Sequence, residues 1–270
     1  MVAAQMPSLR KPAVAGLFYP GERAELSAAV IDFLAEARHS LKPGETSPKA
    51  LIVPHAGYIY SGSVAASAYS RIADAAQTIK RVVLLGPAHR HAFEGLALPG
   101  VDGFETPLGI VPVDVDAVEQ IAHLPQVSSL PAAHEGEHSL EVHLPFLQTL
   151  LEEFSLVPLA VGRATAAQVA EVLEILWGGD ETLIVLSTDL SHYHDYKTAK
   201  IMDAATSKAI EALDEGKIGY DDACGRVPLS GLLVAARAHG LSARTIDLRN
   251  SGDTAGPRHQ VVGYGAYIVG

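Results

Sequence analysis

Three short apolar runs constrain this chain more than any other feature: LIV at 51–53, RVVLL at 81–85 and TLIVL at 182–186. Each is short, rich in Val, Ile and Leu, and reads as a buried strand. Each also stops at a polar turn. The first runs into Pro54, His55, Ala56 and Gly57, the second into Gly86, Pro87, Ala88 and His89, and the third into Ser187, Thr188, Asp189 and, shortly after, His192. Proline cannot extend a central ladder and glycine permits a tight turn, so these polar residues are expected at strand carboxyl ends, where open α/β sheets build their sites. The first two strands are separated by a helix-like stretch, which predicts adjacent parallel strands with His55 and His89 on one edge.

The rest of the chain reads as an α/β scaffold around these runs. Apolar spacing predicts helices over 22–38, 61–73, 114–124, 165–177, 199–214 and 230–239, and further strands over 155–161, 243–248 and 260–269. Pro43 and Gly44 mark the loop after the first helix. Residues 10–20, RKPAVAGLFYP, read as an extended segment laid over the domain, and 96–115 as short strands and turns. In EGEHSLEVHLPFL, a helix starting early would put Glu137, His138 and Glu141 on one face; Pro145 instead favours a start near itself, with Glu137 and His138 in the preceding loop.

Composition narrows the class. With 270 residues, 48% of them hydrophobic, the chain can bury a sizeable core, and one domain over 1–270 is expected. A net charge of −11 argues against a general nucleic-acid binder. No apolar run spans a bilayer, and the first residues lack the apolar core of a signal peptide, so a cytoplasmic protein without membrane attachment is the expectation. Cys224 is the single cysteine, which leaves it the roles of packed thiol, nucleophile or metal ligand.

His55, His89, His138, Asp189, His192 and Cys224 come from separated parts of the sequence, and their convergence is the working hypothesis. Two histidines with one anionic ligand leave open positions on Fe(II), and a thiolate as third ligand also suits copper or zinc. His138 and His192 would then handle protons, with Asp189 orienting an imidazole. The predicted helix start and Arg226 after Cys224 are expected to stabilise a thiolate. Plainer readings stand beside these: His89 and His91 as solvated turn residues, EHSLEVH as a solvated helix start, Cys224 as a packed thiol. His39, His123, His134, His239 and His259 read as surface residues. A metal-independent hydrolase is disfavoured, since no GxSxG elbow is present.

The ordered motifs PHAGYIYSG, LLGPAHR, EHSLEVHLPFL, LSTDLSHY, CGRVPL and RNSGD, with the opening RKPAVAGLFYP, resemble the Memo-like family, also called AmmeMemoRadiSam system protein B. The resemblance covers nearly the whole chain. It implies a fold similar to class III extradiol dioxygenases, a central mixed sheet with helices on both sides. It also implies that the metal ligands are His55, His89 and Cys224, that His138 and His192 correspond to the pocket histidines of those dioxygenases, and that Asp189 accompanies them as a catalytic group. Cys224 replaces the carboxylate ligand of the dioxygenases, which separates this family from ring cleavage. The function so implied is a metal-binding protein using Fe(II) or copper, with zinc possible, that acts as a redox or oxygen-dependent oxidoreductase on a small molecule. The alternative is a non-catalytic metal-handling or peptide-binding adaptor using the same cleft.

Overall fold

A computed structural model describes residues 7–39 and 47–270; Pro43 and Gly44 lie outside them. In chain order the elements are β1 (Leu9–Arg10), α1 (Arg23–Arg38), β2 (Ala50–Val53), α2 (Tyr58–Tyr69), β3 (Arg81–Pro87), β4 (Leu96–Leu98), β5 (Gly103–Thr106), β6 (Gly109–Pro112), α3 (Val115–Ile121) and β7 (Val127–Ser129). There follow α4 (Leu144–Leu150), β8 (Ser155–Val161), α5 (Ala166–Leu176), β9 (Thr182–Ser187), β10 (His192–His194), α6 (Tyr196–Glu211), α7 (Arg226–Ala238), β11 (Ala243–Asn250) and β12 (Val261–Val269).

The main sheet runs β10-β12-β2-β9-β3-β8-β4-β7, with β11 also paired to β12. Its centre, β2, β9, β3 and β8, is parallel, while β12 and β4 are antiparallel to their neighbours β2 and β8, so the sheet is mixed. β1, β5 and β6 form a separate small sheet. The expectation that the strands before His55 and His89 are adjacent is corrected: β9 lies between them, with Val53 opposite Ser187 and Leu85 opposite Leu186. Every residue of β9 is buried, and a strand apolar on both faces gains most at the centre of a sheet covered on both sides. The Ser187–Asp189 turn therefore sits between the two histidine turns, all three on the same edge.

Period-two alternation assigns the central side chains to opposite cores. Ile52, Val83, Leu85, Ile184 and Leu186 pack with Val169 and Leu173 of α5 and Leu229, Leu232 and Leu233 of α7. Leu51, Val53, Val82, Leu84, Leu183 and Val185 pack with Leu26 and Val30 of α1, Val64 of α2 and Phe146 of α4. Helices thus cover both faces, as the resemblance implied. No helix among the described residues is long and apolar enough to cross a membrane.

Several boundaries differ from the apolar spacing. α2, α6 and α7 start at Tyr58, Tyr196 and Arg226 rather than at 61, 199 and 230. Asp195 caps α6 by accepting the Lys197 and Thr198 N–H groups, and Pro228 sits in the first turn of α7, where its missing N–H is not needed. Glu137 and Glu141 share no helical face. Only a 3₁₀ turn at Glu141–His143 precedes α4, and the two carboxylates serve different partners.

Glu141 is fully buried and holds the opening segment in place. It accepts hydrogen bonds from Arg10 Nη1 at 2.7 Å, from the N–H groups of Ala13 and Val14 at 2.7 and 3.0 Å, and from the Tyr19 hydroxyl at 2.6 Å. Arg10 also donates to the carbonyls of His134 and Glu137. A buried carboxylate is tolerated when its lone pairs are this fully occupied, and removing it strands a buried guanidinium. Glu141→Ala should therefore lower unfolding stability by about 3–5 kcal/mol and open residues 10–20 to early proteolysis. Leu84→Ala in β3 should cost about 2–5 kcal/mol without preferential cleavage there. A loss under about 1 kcal/mol for Glu141→Ala would show that the segment is held by other contacts.

Candidate metal centre

The three strand-end turns converge on one group of side chains. His55, just past β2, is 2% exposed, and its backbone N–H donates to Asp189 Oδ1 at 2.8 Å. Its Nδ1 lies 2.6 Å from Ser187 Oγ, which also lies 2.9 Å from His143 Nε2 and donates to the Ser139 carbonyl at 2.6 Å. A hydroxyl has one proton and two lone pairs. With the proton given to Ser139, both imidazoles must donate to Ser187, which places the His55 proton on Nδ1 and leaves Nε2 as a bare lone pair.

A second network sets His89 and His138. The Glu137 carboxylate accepts from the His89 backbone N–H at 2.5 Å and from His89 Nδ1 at 2.9 Å. It also accepts from the N–H groups of His138 and Ser139 at 2.8 and 2.9 Å, and lies 3.3 Å from His138 Nδ1. Burial acts to raise the Glu137 carboxyl, but hydrogen bonds from the His89 ring, with its charge, and from backbone N–H groups outweigh it and hold the group at about 2. A permanent carboxylate accepts only, so His89 donates through Nδ1 and keeps Nε2 free, the orientation that carboxylates give to metal-binding imidazoles.

Three imidazoles meet here. One ligand atom from each of His55, His89 and His138 lies within 4.8 Å of the others, with ring centroids 4.7–5.4 Å apart. His55 is buried, His138 half-buried and His89 exposed. Burial, reinforced by the neighbouring imidazoles, pushes the His55 pKa well below its usual value; burial likewise brings His138 down to about 4, against the pull of Glu137. Neutral imidazoles with free lone pairs are the form a metal requires, and burial favours it at His55 and His138, so this cluster can hold a metal ion.

Cys224 stands outside that trio but against it. Its Sγ lies 3.4 Å from His55 Nε2 and receives the Asp189 N–H at 3.3 Å. That 3.4 Å is close to the edge of about 3.5 Å that a thiolate and an imidazole span on one tetrahedral ion. Gly225 permits the approach: a Cβ there would meet the Ser187 carbonyl oxygen at 2.6 Å and Thr188 Cβ at 2.7 Å. The expectation that the helix start and Arg226 would favour a thiolate is corrected. Burial, with the nearby Asp189 charge, pushes the thiol up to about 12, so without a metal Cys224 keeps its proton.

Asp189 is buried and its carboxyl is raised by burial to about 7, against the His55 N–H that lowers it. Its bond goes to the backbone of the His55 turn; the carboxylate that orients imidazoles is Glu137. His192, on β10, has Nδ1 2.7 Å from the Leu190 carbonyl, so it donates there, and burial lowers its pKa. His55, His89, His138, Asp189, His192 and Cys224 all line one cavity of about 1140 Å³ with Phe18, Tyr60 and Tyr264. All six residues named from the sequence are therefore brought together.

Sequence reasoning, which had Glu137 and Asp189 as carboxylates able to fix an imidazole's tautomer, passed over Ser187, Ser139 and His143 as site groups. Their motifs contained them, but only the hydrogen-bond network distinguishes them from neighbours. His134 is also corrected: it is buried, its Nε2 bonded to the Ala97 carbonyl at 2.8 Å, and burial brings its pKa down to about 4. His39, His123, His239 and His259 are exposed, as expected.

The sequence profile described as Memo-like protein matches residues 10–268. A "MEMO1 family protein" of Aquifex aeolicus is 36% identical over 269 residues, covering 95% of this chain and 97% of the relative. Those of Methanothermobacter thermautotrophicus and Ignicoccus hospitalis are 36% and 37% identical, covering 95% and 96% of this chain and 98% and 97% of theirs. Among solved structures, an uncharacterized Escherichia coli K12 protein, JW3007, matches at 12% identity with a TM-score of 0.49, over 81% of this chain and 98% of that one. The profile match over nearly the full length, together with relatives of this identity and coverage, shows that the chain belongs to the Memo-like family.

Proposed function

We propose that this chain is a metal-dependent oxidoreductase, redox or oxygen-dependent, with the ion held by His55, His89 and Cys224 and a small organic substrate beside it in the cavity. The observation that carries this reading is the Cys224 sulfur set 3.4 Å from the bare Nε2 of His55, whose ring lies against that of His89 with centroids 5.1 Å apart, at the wall of an open cavity. Bound there, Fe(II) or copper would supply redox chemistry and Lewis acidity, and zinc Lewis acidity alone.

The surrounding residues are suited to moving protons. His138, brought by burial to about 4, is neutral at physiological pH and can accept a proton from a substrate hydroxyl, while Glu137 stabilises the imidazolium that results. His192 offers a second free Nε2 on the cavity wall. Asp189, near 7, can hold or release a proton in the neutral range. Phe18 packs on His138 with ring centroids 4.7 Å apart and shields that imidazole from water.

Elemental analysis of anaerobically purified protein should find iron or copper, with His55→Ala, His89→Ala and Cys224→Ser losing most of it and His138→Ala and His192→Ala retaining it. The parent's X-ray absorption should show a metal–sulfur distance of about 2.3 Å that Cys224→Ser lacks. The opposite pattern, metal lost in His138→Ala and kept in Cys224→Ser, would transfer the third ligand to His138. Tight metal binding with no oxygen uptake or electron exchange in the presence of small reductants would favour a metal-handling protein.

Metal affinity should also depend on pH with a sign set by the sulfur. Below about 12 the free protein holds a thiol, and coordination must release its proton, so affinity should fall about tenfold for each unit of pH lowered between about pH 8 and pH 6. His55 and His138 are already neutral in that window and add nothing to the slope. Competition titrations of Cys224→Ser should show a clearly shallower slope over the same range. An equal slope in both proteins would remove the thiolate from the site.

A further inference from the structure

We propose that Arg226 is the anion anchor of the cavity and that the small molecule bound there is a flat, largely apolar acid carrying one carboxylate or phosphate. This deepens the reading of the cavity as a substrate site and rests on it.

The chain has 31 acidic and 20 basic residues, so carboxylates to pair an arginine are plentiful. Arg10, Arg81, Arg163, Arg237 and Arg249 each take one. Arg226 does not. It is half-buried, is the one Lys or Arg lining the cavity, and its guanidinium makes no hydrogen bond or ion pair with any described residue. Its nitrogens are open to the cavity and bond no described residue, so they are free to meet a ligand, and a guanidinium matches carboxylate and phosphate through paired N–H bonds. It also opens α7, whose N-terminal end adds partial positive charge on the same side.

The cavity's own carboxylates do not satisfy it. Asp189 Oδ1 is engaged by the His55 N–H, and Asp221 is exposed on the loop before the helix. Other lining residues are of another character: Phe18, Tyr60, Tyr264, Met202 and Val262 present aromatic and apolar surface. Planar apolar bodies are bound by such faces through dispersion and ring contacts. A cavity of about 1140 Å³ is roomy enough for a ligand larger than a single ring. Apolar wall and lone cation together select an acid over its neutral amide, and a ring-bearing acid over a simple anion.

The test is a titration of the full chain, metal-free and metal-loaded, with 2-naphthoate, 2-naphthyl phosphate and neutral 2-naphthamide, followed by the Arg226 Nε–Hε NMR signal and by calorimetry. In both forms of the parent, the better of the two acids should bind at least about tenfold more tightly than the amide and shift the Arg226 signal. Arg226→Gln should erase that preference while its circular dichroism stays that of the parent, and Arg226→Lys, keeping the charge, should retain part of it. The tighter of the two acids identifies carboxylate or phosphate as the natural group. Equal binding of acid and amide, or a full preference surviving in Arg226→Gln, overturns the proposal. So does a preference seen only with metal bound, which would assign anion recognition to the ion. Metal content, measured separately, tells this failure from failure of the metal reading, because the metal-free arm does not depend on it.

Discussion

The hydroxyl of Ser187 is where the sheet and the site become one structure. It ends the central strand β9, donates its only proton to the Ser139 carbonyl, and accepts from both His55 and His143. One buried oxygen therefore joins the β9 end to the turn after β2 and to the segment before α4. It also decides the tautomer of His55, and with it whether Nε2 is a lone pair facing Cys224 or a proton facing away. The chemistry proposed for the site depends on that choice, and no other side chain near His55 makes it.

The electrostatic design follows from burial. Several imidazoles close together in a partly dry cavity repel added protons, and burial depresses them further, so His55 and His138 remain neutral without needing a metal to displace protons. The Glu137 carboxylate supplies the counterweight, fixed in charge by the donors around it. Cys224 is the opposite case, since burial keeps it a thiol until something stronger than a hydrogen bond removes the proton. In the proposed site, neutral nitrogens beside a reluctant sulfur would link metal affinity to the proton on Cys224.

The opening segment adds a wall that the sheet alone could not provide. Glu141 gathers Arg10, two backbone N–H groups and Tyr19, and Phe18, carried by the same stretch, lies against His138. Glu137 and Glu141, four residues apart, divide the work of holding imidazoles and holding this segment. A regular helix would have aligned them; the irregular turn before α4 lets them point to different partners.

The local chemistry of the sequence determined the strand ends and their polar turns, because an apolar run followed by Pro, Gly or Asp leaves the backbone few choices. From those turns and their resemblance to the Memo-like family, His55, His89, His138, Asp189, His192 and Cys224 were all legible. Strand order was not: β2, β3 and β9 are all apolar on both faces, so the local pattern puts all three near the sheet's centre and does not say which lies between the other two. The ionisation of Cys224 was equally out of reach, since proximity to Arg226 in sequence argued for a thiolate while three-dimensional burial decided for a thiol. That Glu137 takes His89 as its main imidazole partner, that Ser187 sets the tautomer of His55 and that the guanidinium of Arg226 bonds no described residue are properties of who faces whom across the cavity. Hydrogen bonding and desolvation between residues distant in the chain exist only once the tertiary structure has closed around them.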